Sequence, residues 1–304
     1  MRIVVVGSGG VGGYFGARLV RAGHDVTFIS RGAHLTAMQE SGLQIHSAED
    51  GDWHVDCRAV DHIDPGPAAE LVLVCVKSRD TLDAAHLVMP IVDTDTVVLS
   101  LQNGVDNEEK LRAALPPCRL FGGVAYVFAN IVQPGVIAHH QFGSIVIGDI
   151  EGGIDPRAGL LVDAFKDASI GCRADPDIVS VLWQKYVFLV ALSGITAATR
   201  QPAGVIRNVP EARLTWRKQV EELIALATAL DIALPGDMAE NCDKVFESLA
   251  AENYSSLYHD IANEKPSELE ALHGHAVKLA ATKAVPVPTL SAIYGVLKAQ
   301  SGPR

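Results

Sequence analysis

A run of four β-branched residues, Ile3–Val6, leads directly into the glycine-rich segment Gly7–Gly13. The run is short and wholly apolar, which predicts a strand buried on both faces. Three of the glycines follow the pattern Gly-x-Gly-x-x-Gly, and residues with helical character continue to about Ala22. A strand, a glycine turn and a helix in this order predict the first half of a βαβ unit.

The position of these glycines matches the fingerprint of a dinucleotide-binding turn. Gly7 would permit a tight turn, Gly9 would let backbone N–H groups approach a pyrophosphate, and Gly12 would let the helix pack closely on the strand. The start of the helix adds N–H donors and a positive dipole for the phosphates. The alternative is a structural turn that binds no ligand. The predicted cofactor-binding residues here are Gly7, Ser8, Gly9, Gly10, Val11 and Gly12.

The end of the next apolar segment, Val26–Ile29, indicates which dinucleotide is bound. An NAD site usually places Asp or Glu there to bind the ribose 2′-hydroxyl, whereas an NADP site lacks this acid and uses a nearby Arg. The chain continues with Ser30 and Arg31 and has no acid at this point. The pattern therefore predicts NADP(H), with Arg31 on the 2′-phosphate. Arg31 could equally be a solvated surface residue.

Strand-like and helical segments alternate through the first half of the chain. Leu71–Val76 and Thr96–Leu99 are further apolar runs, each followed by a helical segment. After Asp175, which we take as a helix N-cap followed by proline, helical periodicity dominates. We predict an α/β protein with an N-terminal Rossmann-type dinucleotide-binding domain, residues 1–172, and a C-terminal all-helical domain, residues 173–304.

Composition excludes several classes of partner. The 36 acidic and 25 basic residues give a net charge of −11, which argues against nucleic-acid binding because phosphates require a basic surface. The five cysteines are scattered, without a metal-ligand or disulfide spacing, and favour a reducing cytoplasm. No uninterrupted apolar stretch is long enough to span a membrane, and no metal site is expected.

Two ionisable residues of the second half are candidates for catalysis. Lys185 lies in a strongly apolar helical segment and shares a helix face with Leu189 and Ser193. A partly desolvated lysine has a lowered pKa and can act as a general acid, but its head could also extend to solvent. Glu268 follows Ser267, which could form a capping box with Glu270 and leave Glu268 as an ordinary first-turn acid.

Several short motifs occur in an order that resembles the ketopantoate reductase (2-dehydropantoate 2-reductase) family. The resemblance covers essentially the whole chain, and the order is more specific than any single motif. The matching segments are Gly7–Gly12, Arg31, Val74–Lys77, Gln102–Val105, Trp183–Lys185, Ser255–Ile261, Ser267–Glu270, Gly274 and Val285–Pro288.

Membership of this family would imply NADPH-dependent reduction of a 2-oxo acid to a 2-hydroxy acid. By this resemblance Lys185 is the general acid for the carbonyl oxygen, and Glu268 binds the substrate hydroxyl and orients Lys185. Asn103 would lie by the nicotinamide, and Lys77 near the cofactor ribose and the substrate. Ser256 would contact the substrate carboxylate.

The chain departs from the family at two pocket positions. Members generally carry Asn one and two turns after the catalytic lysine, where this chain has Leu189 and Ser193. Ser193 is retained as a predicted substrate contact. The loss of an amide can change substrate discrimination strongly, so a reductase of another small 2-oxo acid is an alternative. A non-catalytic NADP(H)-binding sensor is a third hypothesis. A homodimer is one assembly compatible with the sequence, which does not fix the oligomeric state.

Overall fold

The chain divides into two compact units, each with its own secondary structure. The computed structural model describes residues 1–300. The first unit is Met1–Val181, and the second begins at Leu182. The first unit combines a sheet with helices, whereas residues 182–300 contain helices and no strands. The prediction of a Rossmann-type α/β domain followed by an all-helical domain is confirmed. The predicted boundary after residue 172 falls inside a strand of the first unit.

One ten-stranded mixed sheet forms the first unit. Its spatial order is β4-β3-β9-β8-β7-β6-β1-β2-β5, with β10 paired to β9. Along the stretch β8-β7-β6-β1-β2-β5 of this order, each strand is parallel to the next. The strands are β1 (Arg2–Val6), β2 (Asp25–Ile29), β3 (Leu43–Ser47), β4 (Gly51–Val55), β5 (Arg58–Val60), β6 (Leu71–Val74), β7 (Val97–Ser100), β8 (Arg119–Gln133), β9 (Val136–Asp149) and β10 (Gly171–Ala174).

Helices cover both faces of the parallel part of the sheet. Ile3 and Val5 of β1 belong to one buried cluster, and Val4 and Val6 belong to another. Each fully buried side chain of this size contributes about 1.5–3 kcal/mol relative to an exposed one. This explains why the strand is apolar at consecutive positions. The helices of the unit are α1 (Gly10–Arg21), α2 (Gly32–Ser41), α3 (Thr81–Val88), α4 (Asn107–Ala114) and α5 (Pro156–Asp167).

The long strands β8 and β9 form an antiparallel pair with three irregularities in register. This pair extends the parallel sheet, and β3 and β10 both pair with β9 in parallel. Residues 119–149 are thus part of the same sheet as β1. All five cysteines of the chain are free thiols.

The helix that follows β10 begins later than the sequence predicts. The backbone N–H of Asp175 donates to the carbonyl of Ile147 (2.8 Å), which extends the pairing of β10 with β9. The next helix, α6, spans Ile178–Thr199. The carboxylate of Asp177 accepts from the N–H of Ser180 (3.1 Å), as an N-cap does. The prediction of Asp175 as the N-cap is therefore wrong, because sheet pairing retains this residue.

The second unit contains the rest of α6 and six further helices among the described residues. Prolines occupy several helix starts, including Pro210 and Pro288, where their missing N–H costs nothing. A π-helical turn, Glu270–Gly274, leads without a break into α11. The helices are α7 (Ala203–Asn208), α8 (Pro210–Ala229), α9 (Met238–Ser248), α10 (Ser256–Ala262), α11 (His275–Thr282) and α12 (Pro288–Gln300).

Helix α6 is the most apolar element of the chain. With 22 residues and a mean hydropathy of 1.7 in its most apolar window, it is long and apolar enough to cross a membrane. However, 72% of that window is buried inside the protein. Core helices of soluble proteins pass the same test of length and composition, because a buried helix is apolar on most sides.

A buried carboxyl group at the start of α4 couples stability to pH. Glu108 is 6% exposed, and burial raises its pKa from 4.5 to about 7. Hydrogen bonds from its own N–H and from the Ser100 hydroxyl oppose the shift, and Asp106 reinforces it. A carboxyl whose folded pKa exceeds its unfolded pKa loses its contribution to stability as the pH rises through the folded value.

We expect Glu108→Gln to gain stability over the wild type as the pH rises from about 5 to 8. The free energy of unfolding, measured by urea denaturation, should diverge by up to about 3 kcal/mol, because the glutamine does not ionise. Glu109→Gln, at the exposed neighbouring position, is the matched control and should show no such trend. A difference between Glu108→Gln and wild type that stays constant over this range would contradict the prediction.

Candidate active site

The glycine turn between β1 and α1 is built by close backbone packing. Gly7 has φ +94°, and a Cβ there would lie 2.8 Å from the backbone nitrogen of Val76. A Cβ on Gly12 would lie 2.2 Å from the carbonyl oxygen of Gly7. Both positions therefore require glycine. In contrast, a Cβ on Gly9 would have no heavy atom within 4 Å, so the space above the turn is open to a ligand.

The first turn of α1 presents backbone N–H groups to this space. Gly9 is the N-cap and provides no side-chain acceptor, and the first turn carries no acid. The N–H groups of Gly10, Val11 and Gly12 are the ones that helix geometry leaves without helical acceptors. Together with the helix dipole they suit a phosphate. These residues fit the pyrophosphate of a dinucleotide.

A histidine outside the glycine motif holds the turn in place. The Nδ1 of His34 accepts from the N–H of Gly135 (3.0 Å), and Nε2 is therefore the protonated nitrogen that donates to the carbonyl of Ser8 (2.9 Å). Burial lowers the pKa of His34, although its hydrogen bond to Ser8 opposes the shift. The neutral imidazole thus connects the glycine turn to the β8–β9 turn. No motif in the sequence indicated this residue.

A cleft of about 450 Å³ lies over the glycine turn and the carboxyl end of β2. Arg31 enters this cleft with a side chain that is 80% exposed. Its guanidinium lies 3.5 Å from the carboxylate of Asp80. Asp61 and Asp83 also line the cleft. The structure therefore places Arg31 beside the glycine turn, but among acids that the sequence pattern did not indicate.

The loops after β6 and β7 are joined by hydrogen bonds. The carbonyl of Asn103 accepts from the hydroxyl of Ser78 (2.8 Å) and from the side-chain amide of Asn107 (2.9 Å). The amide of Gln102 donates to the carbonyl of Val76 (3.0 Å). Lys77 directly precedes Ser78. The structure thus brings the segments that carry Lys77 and Asn103 together at the carboxyl edge of the sheet.

Lys185 and Glu268 interact within the second unit. Burial lowers the pKa of Lys185 to about 8, and the nearby Glu268 carboxylate acts in the opposite direction. Glu268 is itself only 8% exposed. An ammonium group with this pKa can hold or release a proton near neutrality. The possibility that Lys185 extends its head freely into solvent does not fit these surroundings.

The π-helical turn after Glu268 is anchored by the residue that follows Lys185. The hydroxyl of Tyr186 donates to the carbonyl of Leu272 in this turn. The N–H of Leu272 in turn donates to the carbonyl of Glu268 (3.0 Å). Short π-helical turns often occur at functional sites. The two hydrogen bonds connect the backbone of Glu268 to the same stretch of α6 that carries Lys185.

The capping box expected at Ser267 is not formed by Glu270. The carboxylate of Glu270 accepts from the hydroxyl of Tyr294 (2.9 Å and 3.1 Å to its two oxygens) and from the ammonium of Lys298. These partners on α12 take the carboxylate away from the helix start. The prediction of a reciprocal cap was therefore wrong, because tertiary partners compete with local ones.

The two predicted serines have different surroundings. Ser193 is 1% exposed, and its hydroxyl donates to the carbonyl of Val190 (3.1 Å). Ser256 is exposed at the first position of α10. Its neighbour Ser255 caps this helix by accepting from the N–H of Tyr258 (3.1 Å) and accepts from the hydroxyl of Thr196 on α6 (2.8 Å). Ser255 thus ties the start of α10 to α6.

Two buried polar side chains pack against α6 at Gly194, the residue after Ser193. Gln219 and His273 are both 0% exposed. Within residues 1–300 the side-chain nitrogen and oxygen atoms of Gln219 have no hydrogen-bond partner, whereas the backbone of Val190 interacts with the His273 ring and opposes the fall in its pKa. A Cβ on Gly194 would lie 2.5 Å from Gln219 Oε1 and from His273 Nε2. Burial lowers the pKa of His273 to about 4, so the ring is neutral. Sequence spacing did not indicate this cluster, since its members come from three separate elements.

The predicted residues are thus distributed over both units. Gly7–Gly12, Arg31, Lys77 and Asn103 belong to the first unit. Lys185, Ser193, Ser256 and Glu268 belong to the second. Across residues 1–300, no group of three or more His, Cys, Asp or Glu side chains is arranged to hold a metal ion.

Comparison with known proteins relates both units to one family. Residues 3–152 match the family model described as "Ketopantoate reductase PanE/ApbA", and residues 177–301 match "Ketopantoate reductase PanE/ApbA C terminal". The 2-dehydropantoate 2-reductase of Archaeoglobus fulgidus is 30% identical over 279 residues, which cover 91% of this chain and 90% of that protein.

Solved structures show the same fold over nearly the whole chain. The PanE/ApbA family ketopantoate reductase from Ralstonia eutropha JMP134 superposes with a TM-score of 0.91 at 31% identity, covering 99% of this chain and 98% of that one. A D-mandelate dehydrogenase solved with NADH and anilino(oxo)acetate has a TM-score of 0.91 at 19% identity, with 99% and 98% coverage. This second likeness shows the fold alone.

The family is one of oxidoreductases that act on a small 2-oxo acid with a nicotinamide dinucleotide. The glycine turn of the first unit and the Lys185–Glu268 pair of the second are the features of this chain that suit such chemistry. The chain belongs to the ketopantoate reductase PanE/ApbA family.

Proposed function

We propose that this protein catalyses the NADPH-dependent reduction of 2-dehydropantoate to pantoate. The observation that carries the proposal is the partly desolvated Lys185, whose pKa of about 8 is set by burial and moderated by Glu268. A family fold with a bound dinucleotide would not by itself need an ionisable pair in the helical unit. A reductase needs a proton donor, and this pair supplies one.

Residues of the first unit would hold the cofactor. The N–H groups at the start of α1 suit the pyrophosphate, and the exposed guanidinium of Arg31 is available to a 2′-phosphate. The absence of an acid directly after β2 supports NADPH over NADH. Lys77 and Asn103, at the carboxyl edge of the same sheet, would contact the ribose and nicotinamide ends.

Lys185 would act on the carbonyl oxygen of the substrate. A reduced nicotinamide held by the first unit would supply the hydride for C2 of the 2-oxo acid. As the C–O bond becomes single, the oxygen takes a proton from Nζ of Lys185, which leaves the lysine neutral. Before that transfer the ammonium stabilises the developing negative charge. Glu268 would bind the substrate hydroxyl and maintain the orientation of Lys185.

The remaining predicted contacts concern substrate binding. Ser256, exposed at the start of α10, would bind the substrate carboxylate. The hydroxyl of Ser193 already donates to Val190, so we propose that it offers the substrate an acceptor. Lys77, Asn103 and Glu268 complete the proposed set.

A second candidate function is the reduction of a different 2-oxo acid. Leu189, one turn after Lys185, is half-buried and apolar, whereas the resemblance to the family implies an amide at this position. The fold also occurs in a D-mandelate dehydrogenase that was solved with NADH and anilino(oxo)acetate. An apolar pocket wall would favour a 2-oxo acid with an apolar side chain over the hydroxylated 2-dehydropantoate.

A non-catalytic sensor that binds NADP(H) is the third hypothesis. The Lys185–Glu268 pair argues against it, because a sensor needs neither group. We also propose a cytoplasmic location, which suits the five free cysteines, and keep a homodimer as a prediction. Oxidation of NADPH with a panel of 2-oxo acids decides between enzyme and sensor. Binding of NADPH without turnover of any of these acids would contradict the proposed function.

We expect the rate of reduction to fall as the pH rises through about 8. Only the protonated form of Lys185 can donate, and its pKa lies near this value. Lys185→Ala should lower kcat by about 10²- to 10⁴-fold and abolish this limb of the profile. Lys185→Arg is the matched control, since it keeps the positive charge but does not release its proton. Near-normal turnover by Lys185→Ala would remove this residue from its proposed role.

We expect Arg31→Ala to weaken NADPH binding about 10- to 100-fold and NADH binding much less. A charge-assisted hydrogen bond to the 2′-phosphate is lost only in the first case. The two dissociation constants can be measured by the change in cofactor fluorescence. Equal losses for both cofactors would show that Arg31 does not contact the 2′-phosphate.

We expect Leu189→Asn to favour 2-dehydropantoate over a 2-oxo acid with an apolar side chain. The ratio of the two kcat/KM values should rise by about tenfold or more, because an amide can pair with the substrate hydroxyl. Leu189→Met, which keeps an apolar side chain of similar volume, is the control. An unchanged ratio would exclude this position as a determinant of the substrate.

A further inference from the structure

The acids around Arg31 are the feature of the cofactor cleft that the proposed function leaves unexplained. Arg31 Nη2 lies 3.5 Å from Asp80 Oδ2. Asp61 and Asp83 line the same cleft. A 2′-phosphate adds a charge of about −1.5 to −2 near neutral pH, whereas three carboxylates already line this cleft.

Asp80 differs from the other two acids in its contacts. Its carboxylate lies within ion-pair distance of Arg31 and, at 3.6 Å, of Arg79 Nε. Its side chain is 22% exposed, compared with 80% for Arg31 and 48% for Arg79. Asp61 is instead engaged with the neighbouring His62 ring at 2.5 Å. No ion pair of Asp83 occurs within residues 1–300.

The backbone holds Asp80 in this position. It ends a 3₁₀ turn, Ser78–Asp80, and its N–H donates to the carbonyl of Lys77 (2.8 Å). It stands at the N-cap position of α3, but its side chain makes no capping hydrogen bond. The carboxylate is therefore directed to the arginines and not to the helix N–H groups. It belongs to the same edge of the sheet as Arg31: Asp80 follows β6 and Arg31 follows β2, and β1 lies between these two strands.

From this arrangement we infer that Asp80 limits the preference of the site for the 2′-phosphate. The inference rests on the proposed function, since it assumes that the adenosine ribose lies beside Arg31. A phosphate must displace the Asp80 carboxylate from Arg31 and then remain close to a like charge. A free 2′-hydroxyl meets no such penalty, because it can donate a hydrogen bond to a carboxylate. Asp80 thus acts against NADPH and in favour of NADH.

The Arg31–Asp80 pair accordingly makes the site tolerant of both cofactors. Arg31 alone would select the phosphorylated ribose, and Asp80 supplies the acid that the end of β2 lacks. Because the Arg31 side chain is 80% exposed, its ion pair with Asp80 contributes modestly. Asp80 therefore adjusts a preference that Arg31 establishes.

The test compares two nucleotides that differ only in the 2′-phosphate. Dissociation constants of 2′,5′-ADP and 5′-AMP are measured by calorimetry on the full-length protein, without turnover. We expect Asp80→Asn to tighten 2′,5′-ADP by about 3- to 10-fold, as a like charge is removed and Arg31 is released. Binding of 5′-AMP should stay equal or weaken. The same pattern is expected for NADPH and NADH by fluorescence.

Asp83→Asn is the matched control, because it removes the same charge from the same cleft without touching an arginine. The factor by which it lowers the dissociation constant of 2′,5′-ADP should be less than half of the factor for Asp80→Asn. In the Arg31→Ala background, Asp80→Asn should tighten the binding of 2′,5′-ADP no more than Asp83→Asn does. Thermal melts of all variants verify that they are folded. At raised salt, the tightening of 2′,5′-ADP by Asp80→Asn should become smaller, since exposed charges are screened.

Three outcomes overturn the inference. The first is that Asp80→Asn leaves the ratio of the dissociation constants of 2′,5′-ADP and 5′-AMP unchanged. The second is that Asp83→Asn tightens 2′,5′-ADP as much as Asp80→Asn does. The third is that Asp80→Asn tightens 2′,5′-ADP to the full extent in the Arg31→Ala background. In each case wild-type protein that still binds 2′,5′-ADP and turns over a 2-oxo acid leaves the proposed function intact. Wild-type protein that binds neither nucleotide would contradict both proposals.

Discussion

The close packing of α1 on β1 is the constraint on which the first unit depends. Contacts of 2.8 Å or less would arise from a Cβ at Gly7 or Gly12, so only glycines let the helix start where it does. That start places unsatisfied N–H groups at the carboxyl edge of the parallel strands, where ligands bind in sheets of this type. His34 secures the turn from the other side by its hydrogen bond to Ser8. The loops after β6 and β7 then complete the same edge.

The second unit contains a cation in an apolar helix, and burying this charge costs free energy. Burial disfavours the charged form of Lys185, and an unpaired buried charge would be far more costly. Glu268 offsets part of this cost. Its backbone is held by the π-helical turn, which Tyr186 anchors to α6. The arrangement leaves the lysine with a pKa near 8, which is useful for proton transfer and is moderate enough for the fold to tolerate.

Motifs with local geometry could be predicted, and features made by distant residues could not. The glycine turn, the buried strand β1 and the apolar surroundings of Lys185 follow from spacing and hydrophobicity within a few residues. His34 and Asp80 had no such signal, because their partners lie far away in the chain. The capping box at Ser267 and the N-cap at Asp175 were wrong for a related reason. Tyr294 and Lys298 take the Glu270 carboxylate, and Ile147 retains the Asp175 backbone in the sheet.

The sequence by itself determined the class of fold, the position of the glycine turn and the apolar helical surroundings of Lys185. Each of these follows from short-range rules of sterics, periodicity and charge. The tertiary structure alone decided which groups surround them. It set the acids around Arg31, the neutral His34 beneath the turn and the Glu268 carboxylate near Lys185. These decide the electrostatic environment of each site, because charge interactions depend on distances in space that chain separation does not determine.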